Sequence, residues 1–570
     1  MSRRPMLSAC LALGASALLA VTAVVPAAAQ GGEAAPMPAA DTMIYPNYGG
    51  EVDCEAGTFN GSPYSGNLKS IEAPDPQTVV FTFCNPNVAF LSQIAFGALQ
   101  IDDAQTLIDH GADGSILEMA NGTGPYKLAE WDRGNRITFT ANDAYWGEKP
   151  LTPNLEFRWS DQAAQRLVEL QAGTVDGIDN PGTADFAAIE ADSNLAIHPR
   201  EGLNTFYLGM NNTYPPFDNV KVRQALARGI DRDRIVANFY PPGSSVASHF
   251  TPCAIPFGCD GEPVPSFDLE AAKALLAEAG YPDGFETKLQ YRAAVRGYLP
   301  DPPTIAQEIA TQLENNLGIT VTIEEQESGT FLDNNSAGTL DGIFLLGWGA
   351  DYPDASNFLD YHFGPATGKK FGEGHEEIIA AVKSGGQSSA DAERSLAYAE
   401  ANRLIAEKVP AVVIAHGGSA TAFKADVAGA HSSPLGNEQF SVMKAGDRDT
   451  LAWMQNAEPL SFYCADETDG ETLRACEQVK ESLYAYVTGG TATEPALATG
   501  CSANEDLTVW TCTLREGVTF HDGSTFDASD VIVSFAAQWD AASPLHKGRS
   551  GAFEYWPSLI GGGFLNPPAE

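Results

Sequence analysis

The sequence predicts an α/β protein, and three observations carry that reading. Short β-type segments are interleaved with amphipathic helical ones along the chain. Three of the helical segments run into a glycine suited to a helix end. No repeat of fixed period is visible.

Taken in order, the segments are as follows. Thr78–Phe83, Arg136–Thr140 and Asn154–Trp159 alternate apolar with polar residues or carry β-branched ones, the pattern of half-buried strands. Gly122-Thr-Gly-Pro-Tyr126 is predicted to be a tight turn before a strand at Tyr126, because no Gly-Lys-Ser/Thr follows to make it a phosphate loop. Ala163 to Gly173, Asp268 to Gly280, Thr304 to Gly318 and Ala390 to Glu407 space apolar residues as helices do. Ile319–Glu324 again reads as a strand. So does Gly342–Trp348, which delivers a turn at Gly349-Ala-Asp-Tyr-Pro-Asp354.

At 570 residues the chain exceeds what one core usually supports, so two or three domains are expected. Acidic residues outnumber basic ones 74 to 33, a formal net charge of −41, and they are scattered. That balance argues against nucleic acid or an anionic membrane surface as partner and favours a solvated acidic exterior. Arg3 and Arg4, the apolar run Leu7 to Val25, and Ala27-Ala28-Ala29 before Gln30 describe a secretory signal peptide over residues 1–29. A membrane anchor is the alternative; the alanine-rich cleavage site argues for removal. Leu7-Ser8-Ala9-Cys10 resembles a lipid-attachment box but stands at the head of the apolar run instead of after it. Residues 30–41 read as a flexible tether.

Export makes disulfides plausible. Setting Cys10 aside with the signal, the cysteines fall into close couples: Cys54 and Cys84, Cys253 and Cys259, Cys464 and Cys476, Cys501 and Cys512. Connectivity stays open from spacing, but Asn504–Leu507 between the last two reads as the turn of a hairpin. No Cys-x-x-Cys occurs and the histidines are not expected to cluster near the cysteines, so no metal and no cofactor are expected.

The stretch Cys512-Thr-Leu-Arg-Glu-Gly-Val-Thr-Phe-His-Asp-Gly-Ser-Thr-Phe-Asp-Ala-Ser-Asp-Val-Ile-Val-Ser-Phe535, with Glu494–Ala498 before it, resembles the amino-terminal part of extracellular solute-binding proteins of family 5. Gly122–Tyr126 with Tyr145–Pro150, Tyr207–Asn211, Val222–Leu226 with Ile230–Asp233, and Gly347–Asp351 resemble its later blocks. The family supplies peptide- and nickel-type binding subunits of ABC importers. The resemblance implies a type II periplasmic-binding-protein fold (cluster C), with two lobes on a hinge plus a satellite domain, here in circularly permuted order. It assigns residues 42–155 and 471–570 to the satellite domain, 156–255 and 431–470 to lobe I, and 256–430 to lobe II. The join at Lys444–Asp449 spans only ~20 Å, which requires neighbouring ancestral ends.

By the same resemblance Asp351 is the cleft carboxylate that pairs with a ligand's α-ammonium in peptide-binding members. Capping of its own turn is the alternative. Ala355 replaces a proline common among relatives. Trp348 is a candidate to line the ligand, Asn211 a candidate contact near the hinge, and Asn456 to Asp469 a segment expected along the cleft, with Glu458, Tyr463 and Asp466 as candidates. Enzyme signatures are incomplete: Gly417-Gly-Ser419-Ala-Thr421 lacks the second glycine of a nucleophile elbow, and Ile379 stands where a His-Glu-x-x-His zinc helix needs histidine. The resulting expectation is a periplasmic or cell-envelope binding protein, a monomer and not an enzyme. It would capture a dipeptide or oligopeptide and deliver it to an ABC permease driven by a cytoplasmic ATPase. Oligosaccharides, nickel chelates, opine-like compounds and, more remotely, a secreted hydrolase remain alternatives.

Overall fold

The computed structural model describes residues 47–48 and 52–567 apart from 293–295, 327, 365–369, 373 and 561. The signal-peptide and tether readings, with Cys10, lie outside the described residues. Among the described residues, no helix is long and apolar enough to cross a membrane.

Three sheets organise the chain. The central one has six strands in the order Ser245–Val246, Ala411–His416, Asn204–Met210, Ile343–Gly349, Glu286–Arg292 and Thr320–Gln326, mixing parallel and antiparallel neighbours. Both faces are covered, which explains why its middle strands are apolar at nearly every position. Phe206, Leu208 and Met210 point to one core, with helices Val220–Gly229 and Pro302–Leu317, while Tyr207 joins the opposite core, with Ala355–Phe363, Glu376–Gly386 and Asp391–Lys408. Ile343 and Leu345 against Phe344 and Leu346 repeat the period of two.

The second sheet has seven strands: Leu195–Arg200, Ser419–Lys424, Gly177–Asp179, Thr450–Gln455, Asn154–Trp159, Arg136–Ala141 and Tyr126–Asp132. Thr450–Gln455, directly after Lys444–Asp449, lies parallel between Gly177–Asp179 and Asn154–Trp159. The third sheet is antiparallel throughout and brings distant sequence together. Leu68–Asp75 and Thr78–Phe83 pair onward to Val509–Leu514 and Ala498–Ala503, and helix Ala528–Trp539 packs on Leu68–Asp75.

Helix ends follow local chemistry. Gly173 and Gly318 adopt left-handed φ of 77° and 67°, closing Ala163–Ala172 and Pro302–Leu317. The latter helix begins earlier than its apolar spacing suggests, because Asp301 accepts from the Thr304 amide at 3.3 Å and Pro302 takes the first helical position.

All four cysteine couples are disulfide-bonded. Cys501 and Cys512 sit directly opposite each other in the expected hairpin. One sequence expectation is corrected: His249 lies beside a cysteine couple, its ring within 4.8 Å of the Cys253 and Cys259 sulfurs, because it stands just before Cys253 in the chain and the bridge brings Cys259 back to the same place. Both sulfurs are bonded to each other. Reduction should lower stability by ~2–4 kcal/mol per bridge that opens. An unchanged melting temperature in strong reductant, or eight titratable thiols without it, would contradict these bridges.

Candidate ligand-binding site

The chain passes between the six- and seven-stranded sheets at two adjacent places. Arg200 ends a strand of one sheet and Asn204 begins a strand of the other; His416 and Ser419 do the same in the opposite sense. The Asn204 side chain fastens the crossings together, its Nδ2 donating to the Gly417 carbonyl at 2.7 Å and its Oδ1 accepting from the Gly417 amide at 2.8 Å. Only glycine fits there, since a Cβ on Gly417 would lie 1.9 Å from the Gly297 carbonyl oxygen. Gly417→Ala should therefore push the His416–Ser419 crossing away from the Gly297–Tyr298 turn on the cavity wall, destabilising the protein by about 1–3 kcal/mol and weakening ligand binding in the same variant. Equal melting temperature and affinity would show that the crossing and the turn tolerate separation.

Between the sheets at these crossings lies a cavity of about 1010 Å³. Its walls come from strand ends, which is why residues far apart in sequence meet. Asn180 and Arg200 belong to the seven-stranded side, and Trp348, Asp351 and Tyr207 to the six-stranded side.

Asp351 is held by its neighbours. The amide of buried Asn357 donates through Nδ2 to Asp351 Oδ2 at 3.1 Å, while Asn357 Oδ1 accepts from the Asp351 backbone at 3.1 Å and from Trp348 Nε1 at 3.0 Å. Helix capping falls to Asp354 instead, which accepts from the Ser356 amide at 2.9 Å and pairs with Arg394 through both oxygens at 2.8 Å. Among the described residues no backbone amide donates to the Asp351 carboxylate, whose hydrogen bond comes from the Asn357 side chain. Among the described residues no cation lies within 4.0 Å of its carboxylate, and burial pushes its pKa up to about 6 against the lowering hydrogen bond from Asn357. Trp348 stacks on Tyr361 at 3.8 Å, and the Lys370 ammonium sits 3.0 Å from the Tyr361 ring centroid. Burial lowers the Lys370 pKa to about 7.

The other sequence candidates do not line this cavity. Asn211 is buried in a turn, donating to the Gly338 carbonyl and accepting from the Thr213 amide, both at 2.9 Å. Glu458 accepts from Trp131 Nε1 at 3.0 Å and from the Gly134 amide, tying down the Tyr126–Ala141 hairpin. Tyr463 is buried edge-on against Phe553. Asp466 accepts from the amides of Ser550, Gly551 and Phe553 at 2.6–2.8 Å. Of the stretch from Asn456 to Asp469, Asn456 alone reaches the cavity wall. The reason is physical: the carboxylates of Glu458 and Asp466 are taken up by N–H donors of other segments, Asn211 by its own turn, and Tyr463 by packing.

Asp466 nevertheless matters to the site, since the loop it cradles leads to Tyr555, a wall residue that sequence reasoning missed. Burial first, and the nearby Asp351 carboxylate second, raise the Tyr555 phenol. Arg292, Arg296, Lys370 and Tyr298 were also missed. Arg296-Gly-Tyr298 next to the strand ending at Arg292 was the only available signal, a cationic and aromatic turn at a strand end.

Beneath the cavity, four charges close a buried ring. Arg200 pairs with Asp179 at 2.9 Å and with Glu438, while Arg474 pairs with Asp179 at 3.0 Å and with Glu438 at 2.8 Å. The ring joins two strand ends to helix Gly470–Cys476 and fixes the floor on which Asn180 and Arg200 stand.

Comparison with known proteins agrees with this architecture. The family model of bacterial extracellular solute-binding proteins, family 5 Middle, matches residues 39–370 and 492–552. The chain belongs to this family. A relative within reach is the dipeptide-binding protein of Escherichia coli strain K12, 28% identical over 393 residues, spanning 67% of this chain and 72% of that one. Heme-binding protein A of Haemophilus influenzae is 28% identical over 392 residues, 67% of this chain and 71% of its own. The solved structure of HbpA2 from Haemophilus parasuis superimposes with a TM-score of 0.62 at 31% identity, covering 66% of this chain and 76% of that chain. In a family of solute-binding proteins, a cavity at two adjacent inter-sheet crossings is where a hinge-closing ligand would sit. The hydrolase alternative gains nothing from the geometry: His416 Nδ1 meets the Asn204 carbonyl at 2.6 Å, and Ser419 Oγ meets Arg200 at 3.3 Å.

Proposed function

We propose that this protein is the periplasmic receptor of an ABC importer, capturing a short peptide between its lobes and handing it to a membrane permease without chemical turnover. One observation carries the reading. A desolvated carboxylate, Asp351, faces a large cavity without a cation of its own, while Arg292, Arg296 and Lys370 line the same cavity. A free peptide carries the complementary pair, an ammonium at one end and a carboxylate at the other, and each end desolvates well only against an opposite charge. The volume, about 1010 Å³, is at the upper end for small-ligand sites.

An oligosaccharide reading asks for open aromatic platforms. Here the Tyr361 ring is engaged by Trp348 and by Lys370 and Tyr207 is buried, while Tyr298 and Tyr555 are half-buried in the wall, so it is the opposite charges of the cavity and not its aromatic rings that favour peptide over sugar. The dipeptide-binding relative in Escherichia coli is in keeping with this. The circularly permuted order belongs to the same proposal, and it is in keeping with the way residues 492–552, the later of the two matched segments, supply strands to the sheet that contains Leu68–Asp75.

Calorimetric titration with one dipeptide in three forms tests the ligand class: free, amino-acetylated and carboxyl-amidated. Both blocked forms should bind more weakly than the free one. Equal affinity for all three would remove peptides as the ligand class.

A further inference from the structure

A second cavity, of about 300 Å³, lies apart from the cleft, between the helix end at Glu477, the loop at Tyr145 and Trp146, and the strand Tyr484–Tyr486. Its walls combine aromatic rings with hydrogen-bond acceptors and one cation, Lys480, whose ammonium is paired with Asp102. Tyr145, Trp146, Tyr484 and Tyr486 supply the rings. The acceptors are not equivalent. Glu481 is fully engaged, accepting from Tyr145 Oη and Trp146 Nε1 at 2.8 Å and from Thr123 Oγ1 at 2.7 Å. Glu477 has one weak donor, Asn437 Nδ2 at 3.3 Å, and among the described residues no cation within 4.0 Å. Burial pushes its pKa up to about 8, against lowering by Asn437 and by Arg474, which is itself committed to Asp179 and Glu438.

A second, independent feature points the same way. Gln100 also lines the cavity, is only 4% exposed, and its Oε1 has no hydrogen-bond partner among the described residues. A buried amide oxygen without a donor, lining the same cavity as a carboxyl without a cation, is an incomplete polar arrangement that a donor-rich group would complete. The aromatic walls favour the same charge, as Arg515 already shows by placing its guanidinium 4.0 Å from the Trp146 ring. The mouth carries exposed Glu148 and Glu494, so the approach is acidic as well.

We propose that this cavity is a second ligand site, taking a small primary ammonium ion with its nitrogen against Glu477 and its apolar tail between the tyrosine and tryptophan rings. The inference is independent of what the cleft binds.

The probe is n-butylammonium, titrated by calorimetry into the Asp351→Asn protein so that the cleft carboxylate contributes nothing. Saturable binding is expected, with neutral 1-butanol weaker by roughly tenfold or more, since a charged hydrogen bond is lost. Glu477→Gln should weaken butylammonium by roughly the same factor. Should that variant fail to fold, Ser441→Trp fills the cavity from its partly exposed rim and should abolish binding in a folded protein. The proposal is overturned by undetectable butylammonium binding, by equal binding of the alcohol, or by binding that survives in folded Glu477→Gln or Ser441→Trp.

Discussion

Asp351→Asn is expected to lower affinity for a free-amine peptide by about 2–5 kcal/mol and, at neutral pH, to make the ligand-free protein more stable. The two effects have one origin. The carboxylate is desolvated and, without ligand, has no cation, so its pKa stands near 6. Asparagine keeps the shape and still accepts from Asn357, but it removes the charge that an incoming ammonium would neutralise. The sign of the stability effect follows from linkage. A carboxyl whose folded pKa is raised binds more protons folded than unfolded, so wild-type stability falls as pH rises from about 4 to about 6. Replacing the charge should recover about 1–2 kcal/mol above that window, allowing for partial exposure and for the Asn357 hydrogen bond. Titrating both proteins with free and acetylated peptide, and melting both across pH 4–8, separates the outcomes. An affinity loss equal for both peptides, together with a lower melting temperature at pH 7, would mean that Asp351 is structural.

The largest effect on stability is expected from breaking the buried ring beneath the cleft. Glu438→Gln leaves Arg200 and Arg474 facing one another across a dry site with only Asp179 to share, and should cost about 3–5 kcal/mol. Burial alone would raise the Glu438 pKa, but Arg200 and Arg474 overcome it and hold it down to about 2. Because that pKa is depressed, the stabilisation is present above the ordinary carboxyl range and is lost as pH falls from about 4 toward 2. Urea unfolding of wild type and variant at pH 7 and pH 3 reads both predictions. The difference between them should shrink at the lower pH. A variant within about 0.5 kcal/mol of wild type at pH 7 would show that the ring contributes little beyond its own desolvation.

The fold class was legible because its elements announce themselves locally. The strands Thr78–Phe83 and Asn154–Trp159 and the helix Ala163–Ala172 with its closing Gly173 depend on alternation, helical spacing and a glycine, all properties of neighbouring residues. The family was legible for a related reason, since its blocks are continuous stretches. Of the cavity wall, Asp351 and Trp348 could be read from Gly347–Asp351, a strand end with its turn. What stayed illegible was competition. Glu458, Tyr463 and Asp466 look like ligand contacts in sequence, yet Gly134, Phe553 and Ser550, up to hundreds of positions away, meet those side chains first. Tyr555 and the cationic residues Arg292 and Arg296 reach the cavity only because the inter-sheet crossings bring strand ends together. Sequence by itself determined which elements form and which family the chain resembles, since local propensity and short motifs encode both. Only the tertiary structure decided which carboxylates are spent on backbone donors and which remains unpaired in the cleft, because hydrogen-bond satisfaction is settled between segments that no spacing along the chain connects.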